Sequence, residues 1–340
     1  MSAQSTDIHV HHVPAGFVRF VENAAAYKIS LDRRGGDDVR LTIGSLSYGL
    51  NRTFFEIDRL IERMNEIRVG RAVLSVATPF VRFDVPTSLV TEAAHVYNEE
   101  IAEIRKAAPD RFEGWAYLPM LDPDAAAREL SRAVKSLGLV GGYLPSNVNG
   151  RYLDADEFAP VFKAATQLDV PLFVHPSNPP ARERMNRYEL PVVAGYLFDT
   201  TINIFQMIFG GLFDRYPTLR LCCSHLGGYA PLLQARMQRE LDTNQSLASR
   251  LKRPLGEYLR AIYYDTICFE PNYLRAAVDS NAVDPKHLLL GSDTPFPLGE
   301  PDPVGFIERS FGHVAPDLAQ SVLRSNVAAL LHSSNKGLAQ

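Results

Sequence analysis

The sequence predicts a (β/α)8 barrel, a closed ring of eight parallel strands wrapped by helices. Three observations lead there. Short apolar or β-branched runs bounded by turn residues recur eight times, amphipathic stretches at helical spacing lie between them, and histidines and an aspartate sit at the exits of several runs. A length of 340 residues accommodates such a barrel as a single domain spanning residues 1–340, with rim insertions at 13–53 and 179–199.

The first run, "DIHVHH" (7–12), places Asp7, His9 and His11 on one face and Ile8, Val10 and His12 on the other, because strand side chains alternate. Residues 13–53 follow, weakly periodic and dotted with Gly and Arg, and are expected to be an insertion. A helix over 54–67 leads to strand two, "RAVLSVATP" (71–79), and a helix over 88–108 to strand three, "FEGWAYLPM" (112–120). Helix 123–138 precedes strand four, "LVGGYLPSNV" (139–148), and helix 155–168 precedes strand five, "PLFVHPSN" (171–178). The stretch 179–199, rich in proline and charge, is the second insertion, and a helix over 200–217 feeds strand six, "LRLCCSHLGG" (219–228). Strands seven, "IYYDTICF" (262–269), and eight, "HLLLGSDTP" (287–295), close the ring. Both insertions leave strands that carry histidines. Loops at the C-terminal ends of barrel strands build the pocket of this fold, so they are expected to wall it.

Composition narrows the function. Hydrophobic residues make up 46% and charged residues 22%, with a net charge of −4 and a sequence pI near 6.2. With no basic surplus, neither a nucleic acid nor an anionic membrane surface is an expected partner. Cys222, Cys223 and Cys268 are too few for a disulfide framework and read as buried free thiols. A reducing, cytoplasmic setting is expected, and no apolar run is read as reaching the ~20 residues of a membrane span.

The chemistry gathers at the strand exits: His9 and His11 on strand one, His175 on strand five, His225 on strand six and Asp293 on strand eight. Burying so many polar groups on one rim is costly unless something coordinates them. Imidazoles with a carboxylate, and no thiolate, suit one divalent first-row metal such as zinc, or manganese, with an open position for water or substrate. His12 faces away, His95, His313 and His332 fall on helices, and His287 stands at a strand entrance.

The stretches "DIHVHH", "PLFVHP", "FDTTINIFQMIFGGLFDRYPTLRLCCSHLGG" and "LLLGSDTPFPLGE" resemble the metal-dependent amidohydrolase superfamily, in its aminocarboxymuconate semialdehyde decarboxylase-like branch. The resemblance implies a single ion held by His9, His11, His175 and Asp293, with His225 beside it as acid/base group. It further implies a homodimer in which Arg236, eleven residues after His225, binds a substrate carboxylate across the interface, with Arg52 near a second such position. An arginine fork matches a carboxylate bidentately. Phe296, directly after "SDTP", is expected to be a pocket wall. Binuclear members carry a bridging lysine on strand four; here that strand has none, and Lys135 lies in the preceding helix. The expected activity is metal-dependent, non-oxidative decarboxylation of a small unsaturated or aromatic carboxylic acid. A lactonase, amidohydrolase or hydratase using the same groups is the alternative reaction, and a non-catalytic metal-binding barrel the alternative class.

Overall fold

The computed structural model describes residues 5–44 and 46–331; His332 lies outside them. Eight parallel strands follow one another around the sheet in chain order. They are β1 (Thr6–His11), β2 (Arg71–Ser75), β3 (Phe112–Tyr117), β4 (Gly141–Pro145), β5 (Leu172–His175), β6 (Leu221–Cys223), β7 (Tyr263–Asp265) and β8 (Leu288–Leu289). The ring closes between its first and last members: Ile8 N donates to Leu290 O at 3.0 Å and His11 N to Thr294 O at 2.7 Å. Because helices cover the outside and side chains fill the inside, the strands are buried on both faces, and β3, β4 and β5 read as near-continuous buried runs.

Register decides which side chains face the barrel axis. Tyr143 of β4 pairs with Phe173 of β5 and with Tyr117 of β3, so these three share the inner face with Trp115 and His175, two residues along their own strands. Trp115 stacks on Phe173 with ring centroids 5.6 Å apart and donates its indole N–H to Ile8 O at 3.0 Å. This aromatic layer is the floor beneath the histidines. Truncating one of its rings to alanine would remove about 3–5 kcal/mol.

The helices expected over 54–67, 88–108, 123–138 and 155–168 are found as Ile57–Glu66, Thr87–Ala107, Pro123–Lys135 and Ala159–Leu168. Asp122 caps the third, accepting from Ala125 N at 2.9 Å, with Pro123 at the first helical position, where its missing N–H costs nothing. The helix expected over 200–217 instead begins as a wide turn at Pro191–Gly195, runs on as Tyr196–Phe209 and breaks at Gly211 (φ 75°) before a short Leu212–Arg215 piece. By length and composition, Pro191–Phe209 is apolar enough to cross a membrane, which the sequence reading did not anticipate; half of it is buried inside the fold, as in a core helix.

The first insertion is more ordered than its weak helical period implies. It holds a helix, Ala15–Asn23, and an antiparallel sheet of Ile29–Gly35, Asp38–Ile43 and Leu46–Asn51. The signal was an alternation of two: Val39, Leu41 and Ile43 are buried and Asp38 and Arg40 exposed. Asn51 pins this sheet to the rim, donating to Pro295 O at 3.0 Å.

Candidate metal centre

Side-chain alternation in β1 aims Asp7, His9 and His11 into the barrel, and each is fully buried. His175 ends β5. Asp293 follows β8 with φ 62°, and His225 follows β6 with φ 53°. Both are non-glycine residues in the left-handed region, a conformation that costs energy and must be held by its surroundings. Asp293 N donates to His9 O at 2.9 Å. The loop after His225 needs its glycines: at Gly228 (φ 65°) a Cβ would stand 2.3 Å from Leu197 O.

These placements bring His9, His11, His175 and Asp293 together, with one ligand atom from each lying within 4.8 Å of all the others. Asp293 Oδ1 lies 2.9 Å from His11 Nε2 and 3.2 Å from His9 Nε2, yet no approach to it has hydrogen-bond geometry. His175 Nε2 is also buried without a partner.

The opposite nitrogens explain why. His9 Nδ1 faces Asp265 Oδ2 at 2.7 Å, His11 Nδ1 faces Val76 O at 3.0 Å, and His175 Nδ1 faces Pro176 O at 3.0 Å. Those acceptors hold the proton on Nδ1 in each ring, so three Nε2 lone pairs turn inward together. His9 Nε2 and His11 Nε2 stand only 3.1 Å apart, a separation at which two lone pairs need a proton or a metal ion between them. The donor set therefore fits a divalent metal.

Charge points the same way. Burial raises the Asp293 carboxyl, but His9, His11 and His225 outweigh it and hold it well below its ordinary range. Burial lowers His9, yet Asp293 and Asp265 overcome that and lift the ring to about 10. Burial, then the His9, His11 and His225 charges, push His175 well down. The buried carboxylate draws positive charge into the cluster, and a divalent ion supplies it without protonating a ligand.

His225 stands at the edge of this group, its Nε2 3.4 Å from Asp293 Oδ2. The side chains of His225 and Asp293 are each 13% exposed while those of His9 and His11 are fully buried, so the centre opens on their side. Phe296 walls it, edge-on to His11 with centroids 5.1 Å apart. The two arginines lie elsewhere. Arg52 pairs with Glu56 at 2.7 Å on the surface, 42% exposed. Arg236 lines a groove of about 1190 Å³ on the outer wall with Phe198, Phe205, Phe209, Asp154 and Glu240.

Asp265 was not singled out from the sequence. It is fully buried at the end of β7, and besides orienting His9 it accepts from Leu226 N and Ile267 N, both at 3.1 Å. A carboxylate at the exit of the apolar run "IYYDTICF" was the available signal, the same one that marked Asp293. His12 turns away from the cluster, buried, and burial pulls it down to about 4. β4 carries no lysine.

A parallel barrel whose C-terminal rim brings three histidines and one aspartate together, the one such group among the described residues, is the architecture of a class of metal-dependent barrel enzymes. The chain matches the amidohydrolase family model over residues 7–332 and belongs to that family. It is 30% identical to 2-amino-3-carboxymuconate-6-semialdehyde decarboxylase of Dictyostelium discoideum over 306 residues, 89% of this chain and 84% of that protein. It is 31% identical to the gamma-resorcylate decarboxylase of Polaromonas sp. (strain JS666) over 252 residues, 70% of this chain and 77% of the other. A dihydroxybenzoic acid decarboxylase structure from Polaromonas sp. JS666, with bound manganese and the inhibitor 2-nitroresorcinol, superposes with a TM-score of 0.80 at 24% identity, covering 97% of each chain.

Proposed function

We propose that this protein is a carboxy-lyase that removes CO2 without oxidation from a small unsaturated or aromatic acid. The observation that carries the reading is the convergence of three inward Nε2 atoms and one carboxylate beside a partly exposed histidine. The decarboxylase names of the relatives support it. His9, His11, His175 and Asp293 would hold one ion, and zinc fits the nitrogen-rich donors; manganese, found in the Polaromonas structure, is the metal to compare. Once bound, the ion would polarise the substrate's oxygens and balance their charge.

Losing CO2 directly from an sp2 carbon strands an electron pair in the plane of the π system. A proton must therefore reach that carbon first. Addition of H+ makes the carbon tetrahedral at the expense of one π pair; the C–CO2 bond then breaks and its electrons restore the π system. One proton is consumed, one CO2 leaves, and C–H replaces C–COO−. His225, exposed on the open side, holds and delivers the proton, and Asp293 at 3.4 Å orients its ring. Asp265, through His9, keeps the centre in register.

We further propose a homodimer built on the helix Tyr196–Phe209 and the neighbouring groove. Leu190, Val192, Val193 and Phe198 are exposed there, and the groove carries both Arg236 and Glu240, the mixed charge that a self-complementary interface needs. Arg236 would be contributed across that interface. The free thiols of Cys222, Cys223 and Cys268 support a cytoplasmic location.

Incubating metal-loaded protein with carboxylated phenols, muconate semialdehydes and lactones tests the reaction. CO2 release without formation of a new acid group, absent from metal-stripped protein, is expected. Ring opening with acid production and no CO2 would replace decarboxylation by hydrolysis.

A further inference from the structure

Behind the cluster, in the first turn of the helix Tyr196–Phe209, lies an acid that takes no part in it. Asp199 is fully buried, and among the described residues the groups that bond to its side chain are neutral donors. Its Oδ2 accepts from the Ser146 hydroxyl and from Asn147 Nδ2, the latter at 3.0 Å, and its Oδ1 accepts from the Tyr152 hydroxyl at 3.0 Å. Burial raises the carboxyl, and these donors work against the rise by favouring the charged form. Burying a carboxylate costs free energy that a neutral side chain would not. What Asp199 holds explains its presence.

Ser146, just beyond β4, passes the hold on. Its backbone N–H donates to His175 O at 2.8 Å, and its Oγ accepts from Ser177 N at 2.9 Å. With that N–H pointing into Oγ, the hydroxyl proton is directed to Asp199. The peptide unit between Pro176 and Ser177 is thereby gripped at both ends, its N–H by Ser146 Oγ and its carbonyl by His175 Nδ1 at 3.0 Å. The other neighbour of Nδ1, Thr78 Oγ1 at 3.1 Å, is a hydroxyl that can turn to donate or accept. The Pro176 carbonyl can only accept, so it fixes the proton on Nδ1 and leaves Nε2 facing the cluster.

We propose that Asp199 is a positioning residue of the metal centre, which through Ser146 fixes the Pro176–Ser177 peptide and with it the inward lone pair of His175. The inference rests on the four-residue cluster as a metal site and not on the reaction carried out there.

The test is the zinc affinity of the folded protein, measured by chelator competition well below each variant's Tm. Asp199→Ala should weaken zinc about tenfold, the lower end of what the outer partners of metal-bound histidines contribute, and Asp199→Asn, which still offers Ser146 an oxygen, should recover most of the loss. Ser146→Ala should weaken zinc to the same extent, and the Asp199→Ala, Ser146→Ala double variant no further, because the two act in series. Asn203→Ala is the control for general loosening: one turn along the same helix and buried, Asn203 accepts from Leu153 N at 3.2 Å and does not touch the His175 loop. It should lower Tm yet leave zinc affinity as in wild type. With cobalt(II) in place of zinc, Asp199→Ala and Ser146→Ala should share one altered visible spectrum, while Asn203→Ala keeps that of wild type. Should Asp199→Ala fail to fold, Ser146→Ala carries the comparison. Zinc affinity unchanged in Asp199→Ala or Ser146→Ala, additive losses in the double variant, or an equal loss in Asn203→Ala would overturn the proposal. Failure of the metal reading itself shows separately, as a wild-type protein that binds neither zinc nor cobalt.

Discussion

The metal cluster and the two insertions lie at the same rim, with Asn51 of the first insertion donating to Pro295 O two residues after Asp293, yet they are built by different means. The cluster sits on strand ends and the residues just beyond them, and each histidine has its outer nitrogen tied to a fixed acceptor: Asp265, Val76 O or Pro176 O. The insertions carry instead a short antiparallel sheet in which Asp38 and Arg40 are exposed, and a run from which Tyr188, Leu190, Val192 and Val193 are exposed. Neither insertion supplies a residue of the cluster or an acceptor to its outer nitrogens. A family can therefore keep one chemistry while changing what it acts on.

Removing a ligand should produce the largest effect. His175→Ala and Asp293→Ala should lose the metal and with it all turnover, with metal analysis falling from about one ion per chain to background. His225→Ala should keep the ion yet lose roughly 10²–10⁴-fold in kcat, the usual worth of a positioned acid/base group. Equal metal loss in all three would move His225 into the cluster and erase the division between holding and reacting. A step smaller is the support beneath the cluster. Asp265→Asn keeps the size of the side chain but weakens the acceptor that fixes His9, so metal affinity should drop about 10–100-fold in a chelator competition. Unchanged affinity would mean that the strand ends alone set the geometry.

Chelation alone should lower the Tm, because a ligand bound only by the folded state adds RT ln(1 + [L]/Kd) to stability. Differential scanning fluorimetry before and after metal removal measures this, and identical midpoints would show that the cluster is held by packing. The smallest effect belongs to Arg52. Its exposed pair with Glu56 contributes about 0–1 kcal/mol, and Arg52→Ala should leave kcat/KM within about twofold. A tenfold loss would bring its guanidinium from the surface into the site.

What the sequence disclosed follows the same division. Period-two burial, turn residues and strand-exit histidines are local signals, so the eight strands and the candidate histidines and aspartate could be read directly, while the separation of His225 from the other four came from the family resemblance. Asp265 carried the same signal at the exit of strand seven, but its role beneath His9 exists only once the two strands are placed. Tyr143 looked like any buried aromatic of a strand, since its stacking on His175 exists only once the two strands are side by side. The insertions were hardest. The sheet over 29–51 is short and half exposed, so its alternation involves few residues, and the entry to the Tyr196–Phe209 helix was masked by a proline that a first turn accepts.

X-ray absorption at the metal edge of the purified, metal-loaded protein addresses the cluster most directly. It should show one ion per chain with imidazole scattering from three histidines and a carboxylate oxygen, at bond lengths of about 2.0–2.2 Å if the metal is zinc. A stoichiometry well below one, or a shell lacking the outer-ring imidazole scattering, would contradict the account.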